Sequence, residues 1–302
     1  MKSKVNFHIH TTHSDGGKTP VEIAALLADA GVKYFAITDH DQVSGNTEAA
    51  EQAARHGLKH IDGIELSCCF ADGEIGLDES WVVHILGLGV DIAKMQAELI
   101  RIEGEKDVRL RELFDLLAAD GYKIESKRVT INGRITARKT IAKELINKGY
   151  AANGDECYEK ILNAEKYRKY AKAKPSIREG IAIIHACGGL AVWAHPFGVT
   201  RGGKKEIREE QVIGLLSYMI AYKIDGIEAY YHKYSPERIR LLEGLADSNQ
   251  LIKSIGTDFH CSPFDSDKHP EYVELQKKES IVFDADGISP DERIAEILVN
   301  RG

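Results

Sequence analysis

Histidine, aspartate and glutamate recur in this chain where short apolar runs end. Near its start, Asn6-Phe7-His8-Ile9-His10-Thr11-Thr12-His13-Ser14-Asp15-Gly16 reads as a strand running into a loop. Side chains two apart on a strand point to one face, so His8 and His10 are expected to emerge side by side. Two imidazoles so placed can grip one cation. Alone, an apolar-flanked His-x-His also fits two core histidines with hydrogen-bonded rings. Further along, His40, Glu65, His84, His195, Asp258 and His260 stand at or just beyond the ends of other apolar runs, and Asp15 lies in the opening loop. Nine such residues on successive elements point together to a metal cluster. Imidazole and carboxylate without thiolate suit Mn, Fe or Zn in a catalytic cluster better than a closed structural zinc site.

The elements that must position these residues alternate in type. Val5 to Ile9 is apolar enough for a buried strand. Thr19-Pro20-Val21-Glu22 makes a helix start, with a Thr cap, Pro at the first helical position and Glu three residues after the cap. Gly31 ends that helix. Tyr34 to Thr38 reads as a strand delivering Asp39-His40-Asp41, helix follows from Ser44 to His56, and a strand spans Lys59 to Leu66 with Glu65 near its end. Trp81 to Gly87, which holds His84, continues the strand series, with Ala71 to Ser80 as a hairpin tip or loop. From Asp91 to Lys174 long charged helical stretches take over, with Leu110, Leu113, Phe114 and Leu117 at helical spacing, and read as an inserted subdomain. The alternation then resumes. Helix Ser176 to Cys187 precedes strand Leu190 to Ala194 and His195-Pro196; helix Glu206 to Tyr222 precedes strand Gly226 to Tyr230 and His232. Helix Pro236 to Ser248 leads to strand Lys253 to Gly256 and Thr257-Asp258-Phe259-His260. Strand Ser280 to Phe283 and helix Pro290 to Asn300 follow. This order predicts a parallel sheet or barrel, whose ligands collect at the C-terminal ends of strands.

Composition narrows the class. A chain of 302 residues, 43% hydrophobic, can form one large domain or a barrel-sized domain with an insertion. No run approaches the roughly eighteen apolar residues of a membrane span. The charged, histidine-bearing N-terminus does not read as a secretory signal, so a cytoplasmic location is expected. Five cysteines with no Cys-x-x-Cys pair indicate neither a disulfide framework nor a thiolate zinc site. A formal charge of −7 argues against a large basic surface for duplex nucleic acid.

Taken in order, His8-Ile9-His10, Ser14-Asp15-Gly16, Thr38-Asp39-His40, Gly63-Ile64-Glu65, His84, Ala194-His195-Pro196 and Thr257-Asp258-Phe259-His260 resemble the successive motifs of the polymerase-and-histidinol-phosphatase (PHP) phosphoesterases. The resemblance covers most of the chain. It implies an α/β fold, a distorted seven-stranded (β/α) barrel of the PHP type over residues 1–90 and 175–302, with an inserted helical cap subdomain at 91–174. It also implies two to three divalent metal ions (Mn, Fe or Zn). By motif, His8, His10, Glu65 and Asp258 would hold the first metal, and Glu65 would bridge to a second completed by His84 and His195. Asp15, His40 and His260 would hold the third. A bridging carboxylate has two oxygens and can hold ions about 3.5–4 Å apart. The implied reaction is attack of a metal-bridging hydroxide on phosphorus, with Glu65 and Asp258 central to it.

Within the insertion, Gly133 to Ala142 resembles the Arg-Pro-His-x-Ala element that cap-bearing members use near the substrate phosphate. Aligned on Ala142, Arg138 takes the arginine place, where a planar fork suits phosphate. Lys139 and Thr140 stand where Pro and His are usual, and Arg134 is an alternative phosphate ligand. His232 is a candidate to bind phosphate or protonate the leaving oxygen. The basic loop Arg201-Gly202-Gly203-Lys204-Lys205 can touch an anionic substrate, whereas His13, His56, His60, His185 and His269 are expected to be structural or surface residues. The leading expectation is a metal-dependent phosphoesterase acting on a small phosphorylated metabolite: a nucleotide, nucleoside bisphosphate, sugar phosphate or cyclic phosphodiester, enclosed by the cap. Trimming of short oligonucleotides from an end, amide or lactone hydrolysis, and a non-catalytic metal-binding regulator are the alternatives. Duplex nucleic acid and membranes are not expected partners, and the oligomeric state stays open.

Overall fold

The computed structural model describes residues 3–69, 81–130, 135, 137–168, 170, 174–201, 204–205, 207–261, 280–282 and 294–295. Two compact units emerge: Met1–Gln96 with Ser176–Gly302, and Ala97–Pro175.

In the first unit, strands β1 (Val5–Asn6), β2 (Tyr34–Ile37), β3 (Lys59–Cys69), β4 (Trp81–Leu88), β5 (Leu190–Trp193), β8 (Gly226–Tyr231) and β9 (Ile252–Gly256) follow one another around the sheet in that order. The short strands β6 (Thr200–Arg201) and β7 (Lys204–Lys205) branch from β4 as a ribbon. β9 returns to β1: the Phe7 amide donates to the Ile255 carbonyl at 3.0 Å, and Ile9 and Phe259 form a parallel bridge. Asn6 fastens this seam, donating through Nδ2 to Thr257 Oγ1 at 2.8 Å and accepting from the Thr257 amide at 3.2 Å. The result is a nearly closed seven-stranded barrel of mixed α/β type.

The helix signals act as read. In α1 (Pro20–Asp29) Thr19 and Glu22 form the expected capping box with Pro20 in the first turn. Ser176 and Glu179 repeat that box at α8 (Ile177–Ala186), and Ser235 caps α10 (Pro236–Ser248). Helix α2 (Asn46–His56) starts later than the expected Ser44. The Ser44 hydroxyl is engaged by His13 Nδ1 at 2.8 Å, and the Asn46 amide brackets the Gly63 backbone, which ties the first turn to β3.

Other expectations need correction. β4 is antiparallel to both β3 and β5, so the series is not uniformly parallel. β3 runs past Glu65 to Cys69, and the link to β4 is too short for the crossover that a parallel neighbour requires. Glu65 and His84 accordingly sit within strands, while the other candidate ligands follow strand ends. β1 stops at Asn6 because side chains take over its ladder: the His8 amide donates to Asn6 Oδ1 and the Ile9 amide to Thr38 Oγ1. Arg201 and Lys204–Lys205, expected in a loop, are paired strands. Ile281 and Val282 form a bend, not a strand. Ile294 and Ala295 are helical, and the rest of the expected last helix, the Ala71 to Ser80 link and His269 lie outside the described residues.

The barrel flank packs on Ile9, Ile23, Leu27, Phe35, Ile37 and Ala49. The second unit has its own core, in which Leu113 and Leu117 of α3 (Ile92–Ala119) meet Ile141 and Leu145 of α5 (Arg138–Asn147), Leu162 and Tyr167. Between α3 and α5 lies the single turn α4 (Ser126–Val129). α6 (Gly154–Cys157) runs into a π-helical turn at Tyr158–Leu162, and α7 (Glu165–Arg168) follows. In the first unit α9 (Glu209–Ala221) joins the β6–β7 ribbon to β8. Among the described residues no helix is long and apolar enough to cross a membrane.

Candidate metal centre

All nine residues singled out by type and position come together in the first unit. His8 and His10 do emerge side by side, their Nε2 atoms 3.2 Å apart. Both face Glu65 Oε2, at 3.2 and 3.1 Å, and Asp258 Oδ1, at 3.4 and 3.2 Å. The other oxygen of the same carboxylate, Glu65 Oε1, meets His84 Nδ1 at 3.0 Å and His195 Nε2 at 2.8 Å. His40 turns Nδ1 to Glu65 Oε2 at 3.0 Å and Nε2 to Asp15 Oδ2 at 3.8 Å. His260 Nε2 lies 3.4 Å from Asp15 Oδ1. Three donor groups are close enough to share an ion: His8, His10, Glu65 and Asp258; His40, Glu65 and His84; and His10, Asp15, His40 and His260.

Relative to the motif-based partition, His10 joins the third group through its other nitrogen, and His40 joins the second. His195 reaches Glu65 and lies 3.4 Å from His84, but falls outside the three-residue grouping.

The donors fit a cation better than they fit one another. Glu65 and His10 are fully buried. Yet His10 Nδ1, His40 Nδ1 and Glu65 Oε2 have no hydrogen-bond partner among the described residues. Buried polar atoms are ordinarily paired, so lone pairs converging without hydrogens between them mark a place for positive charge. Burial would raise the Glu65 carboxyl, but His8, His84 and His40 outweigh it and hold it well below the usual carboxylate range. Asp258 behaves likewise beside His8, His10 and His260. Asp15, partly buried but answered by His260, is pulled down to about 2. Burial dominates at His84 and lowers it, which favours the neutral, ligating form.

Supporting groups hold this geometry. Asp39 accepts from the Thr11 amide and hydroxyl, each at 2.7 Å, and from the Ser14 hydroxyl at 2.5 Å, fixing the loop that carries Asp15. His195 (φ 28°) and Asp258 (φ 49°) have positive φ, a backbone region that non-glycine residues hold only when their surroundings enforce it. Two supporting residues escape a reading based on strand ends, Glu228 and Tyr231 on β8. Tyr231 donates its hydroxyl to Asp258 Oδ2 at 2.9 Å, and burial with the Asp258 charge pushes its ionisation far up, so it stays a donor. Their only sequence signal is polarity inside an apolar strand.

The candidates for substrate contact are less gathered. His232 is half-buried with Nδ1 unpartnered among the described residues, and burial with the Lys233 charge brings its ring down to about 4. In the second unit the Arg138 guanidinium donates from Nη2 to the Leu162 carbonyl at 2.6 Å and to Asn163 Oδ1 at 3.1 Å, and stacks over Tyr158. Arg134 lies outside the described residues. His13 sits beside Ser44, and His60 is buried against Phe35 on the flank.

A barrel that draws imidazoles and carboxylates from six strands to one point is the architecture of a metal-dependent hydrolase. Residues 6–286 match the model of the PHP domain, and the chain belongs to the PHP domain family. It is 29% identical over 265 residues to a 5'-3' exoribonuclease of Haemophilus influenzae, covering 86% of this chain and 91% of that one. It is equally 29% identical over 267 residues to a 3',5'-nucleoside bisphosphate phosphatase of Chromobacterium violaceum, covering 86% and 88%. The solved structure of an amidohydrolase from Chromobacterium violaceum, with sulfate bound and no metal, superimposes with a TM-score of 0.60 at 26% identity, covering 98% of this chain and 96% of that one.

Proposed function

We propose that this chain is a metal-dependent phosphoesterase that hydrolyses a small phosphorylated metabolite, foremost a nucleotide or nucleoside bisphosphate. The observation that carries the reading is the Glu65 carboxylate, one oxygen facing His8, His10 and His40 and the other facing His84 and His195. His8, His10, Glu65 and Asp258 would hold one ion, Glu65 with His84, His195 and His40 a second, and Asp15, His40, His260 and His10 a third. Nitrogen and oxygen donors without thiolate suit Mn, Fe or Zn. Divalent ions bound there supply Lewis acidity, withdrawing charge from phosphoryl oxygens and acidifying water.

The chain's own residues do the rest. Glu65 and Asp258 stay ionised and keep the ligand set assembled. Tyr231 holds the second oxygen of Asp258, so that Oδ1 faces His8 and His10. His232, neutral at pH 7, can offer a ring nitrogen to the phosphoryl group or the leaving oxygen. Arg138 can serve a phosphate only by yielding its contacts with Leu162 and Asn163.

Support comes from the named activities of the two relatives, both cleavages of phosphoric esters, and from the sulfate, a tetrahedral oxyanion like phosphate, in the similar structure. The Haemophilus likeness favours a second reading, removal of nucleotides one at a time from a short oligonucleotide. The test is a screen of Mn-loaded protein against nucleotides, nucleoside bisphosphates, sugar phosphates, cyclic phosphates and short oligonucleotides. Inorganic phosphate is expected from the nucleotides, bisphosphates and sugar phosphates and a phosphomonoester from the cyclic phosphates, whereas release of mononucleotides from the short oligonucleotides is expected only under the second reading. Glu65→Ala and Asp258→Ala are each expected to lower turnover at least a thousandfold, roughly the loss of one oxyanion-stabilising group or more. Turnover at the wild-type rate by either variant would sink the mechanism.

A further inference from the structure

β8 supplies none of the nine candidate ligands, yet it reaches three of them. Its pairing with β9 slips between Glu228 and Tyr230: Glu228 lies opposite Ser254 and Tyr230 opposite Ile255, so Ala229 is an extra residue. Such a bulge re-aims the side chains beyond it. Tyr230 consequently faces outward, where its hydroxyl donates to Glu243 of α10, and Tyr231 shares the inner face with Glu228.

Glu228 is fully buried. A carboxylate in that position must be answered by donors, and here each oxygen takes one. Oε1 accepts from His8 Nδ1 at 3.0 Å, and Oε2 accepts from the main-chain amide of His195 at 2.7 Å. The two donors come from different strands and from opposite sides of the Glu65 carboxylate. Space for this contact is made by Gly256 on β9, where a Cβ would stand 2.2 Å from Glu228 Oε1 and 2.3 Å from His8 Cβ.

We infer that Glu228 is the positioning residue of the metal centre, a single carboxylate that sets His8 and His195 for ions on both sides of Glu65. The inference rests on the metal reading above. An oxygen that accepts from Nδ1 keeps the proton on that nitrogen and leaves Nε2 with its lone pair, and Nε2 is the atom that faces Glu65, Asp258 and His10. At His195 the same carboxylate pins an amide whose residue sits at φ 28°, ψ 67°, a conformation that must be enforced. Glu228 touches neither substrate nor reacting atoms and acts through the ligands.

The experiment uses full-length protein stripped of metal and refilled with zinc. Isothermal titration reads stoichiometry and affinity, and long-range 15N–1H spectra of the histidines read the His8 tautomer. The variants are Glu228→Gln, an isostere that can accept only one of the two N–H groups, and Glu228→Asp, which keeps the charge but is too short to span both. Glu243→Gln, on α10 where it accepts from Tyr230 at the outer face of β8, is the control. Wild type is expected to bind zinc with the His8 proton on Nδ1. Both Glu228 variants should lose tenfold to a hundredfold in affinity, the range for outer partners of metal ligands, with the His8 signals shifted and the metal-free melting temperature little changed. The control should match wild type. Wild-type affinity with an unaltered His8 spectrum in either folded Glu228 variant would overturn the inference. So would failure of both variants to fold without metal, because Glu228 would then be a packing residue. A wild-type protein that binds no zinc, manganese or iron would instead remove the metal reading itself.

Discussion

At Glu65 one carboxylate meets five imidazoles, and its two oxygens divide them. A group so dependent on its neighbours contrasts with His60, whose ring is buried against Phe35 with Nε2 unpartnered among the described residues. Burial brings His60 down to about 3. The unfolded chain takes up that proton near 6.5 and the folded chain does not, so the unfolded state binds more protons below 6.5 and stability falls as pH drops. The loss runs at up to about 1.4 kcal/mol per pH unit between the two values and is absent above pH 7. Urea unfolding of wild type and His60→Phe from pH 7 to pH 4.5 should show a shallower decline in the variant. Parallel curves would mean that His60 is already solvated or charged in the fold. At this scale the nine candidate ligands were legible because imidazole and carboxylate are conspicuous at the ends of apolar runs. Glu228 was not, because it lies inside a strand and its role depends on which way the strand faces.

Glycines on β9 and α10 show how differently elements use the same residue. A Cβ at Gly256 meets Glu228 and His8 at distances no real contact shows, whereas nothing lies within 4 Å of one at Gly244, in the exposed middle of α10. Gly256→Ala is expected to destabilise the fold by about 1–3 kcal/mol, the usual penalty for overpacking, and to weaken metal retention. Gly244→Ala should stabilise by about 0.5–1 kcal/mol through helix propensity alone. Denaturant midpoints check both, and a shift of the same sign in the two variants would contradict the packing at the β8–β9 seam. The start of α1 was readable at this scale since capping is local chemistry: Thr19 and Glu22 sit within one turn. The direction of β4 was not, because a pattern of alternating residues is the same read in either direction. The Ala229 bulge leaves no trace in Gly226-Ile227-Glu228-Ala229-Tyr230-Tyr231.

For the molecule as a whole, the donors of the metal centre belong to one unit while the second unit closes a core of its own. Metal should therefore stabilise the first unit selectively. Scanning calorimetry with and without a chelator should move one transition and leave the other in place. The displacement corresponds to about 2.7 kcal/mol when free metal is a hundredfold above its Kd. If both transitions moved together, the two units would unfold as one. The barrel seam has a consequence in time. Glu65 leaves the ribosome early, but Asp258 and His260 and the Asn6–Thr257 clasp need chain made much later. At about 5–20 residues per second the interval is on the order of ten to forty seconds. For that period a nascent chain carries Glu65 without the partners that close the candidate centre. It is then a weak competitor for cellular metal, and becomes a strong one only when translation passes the last ligand.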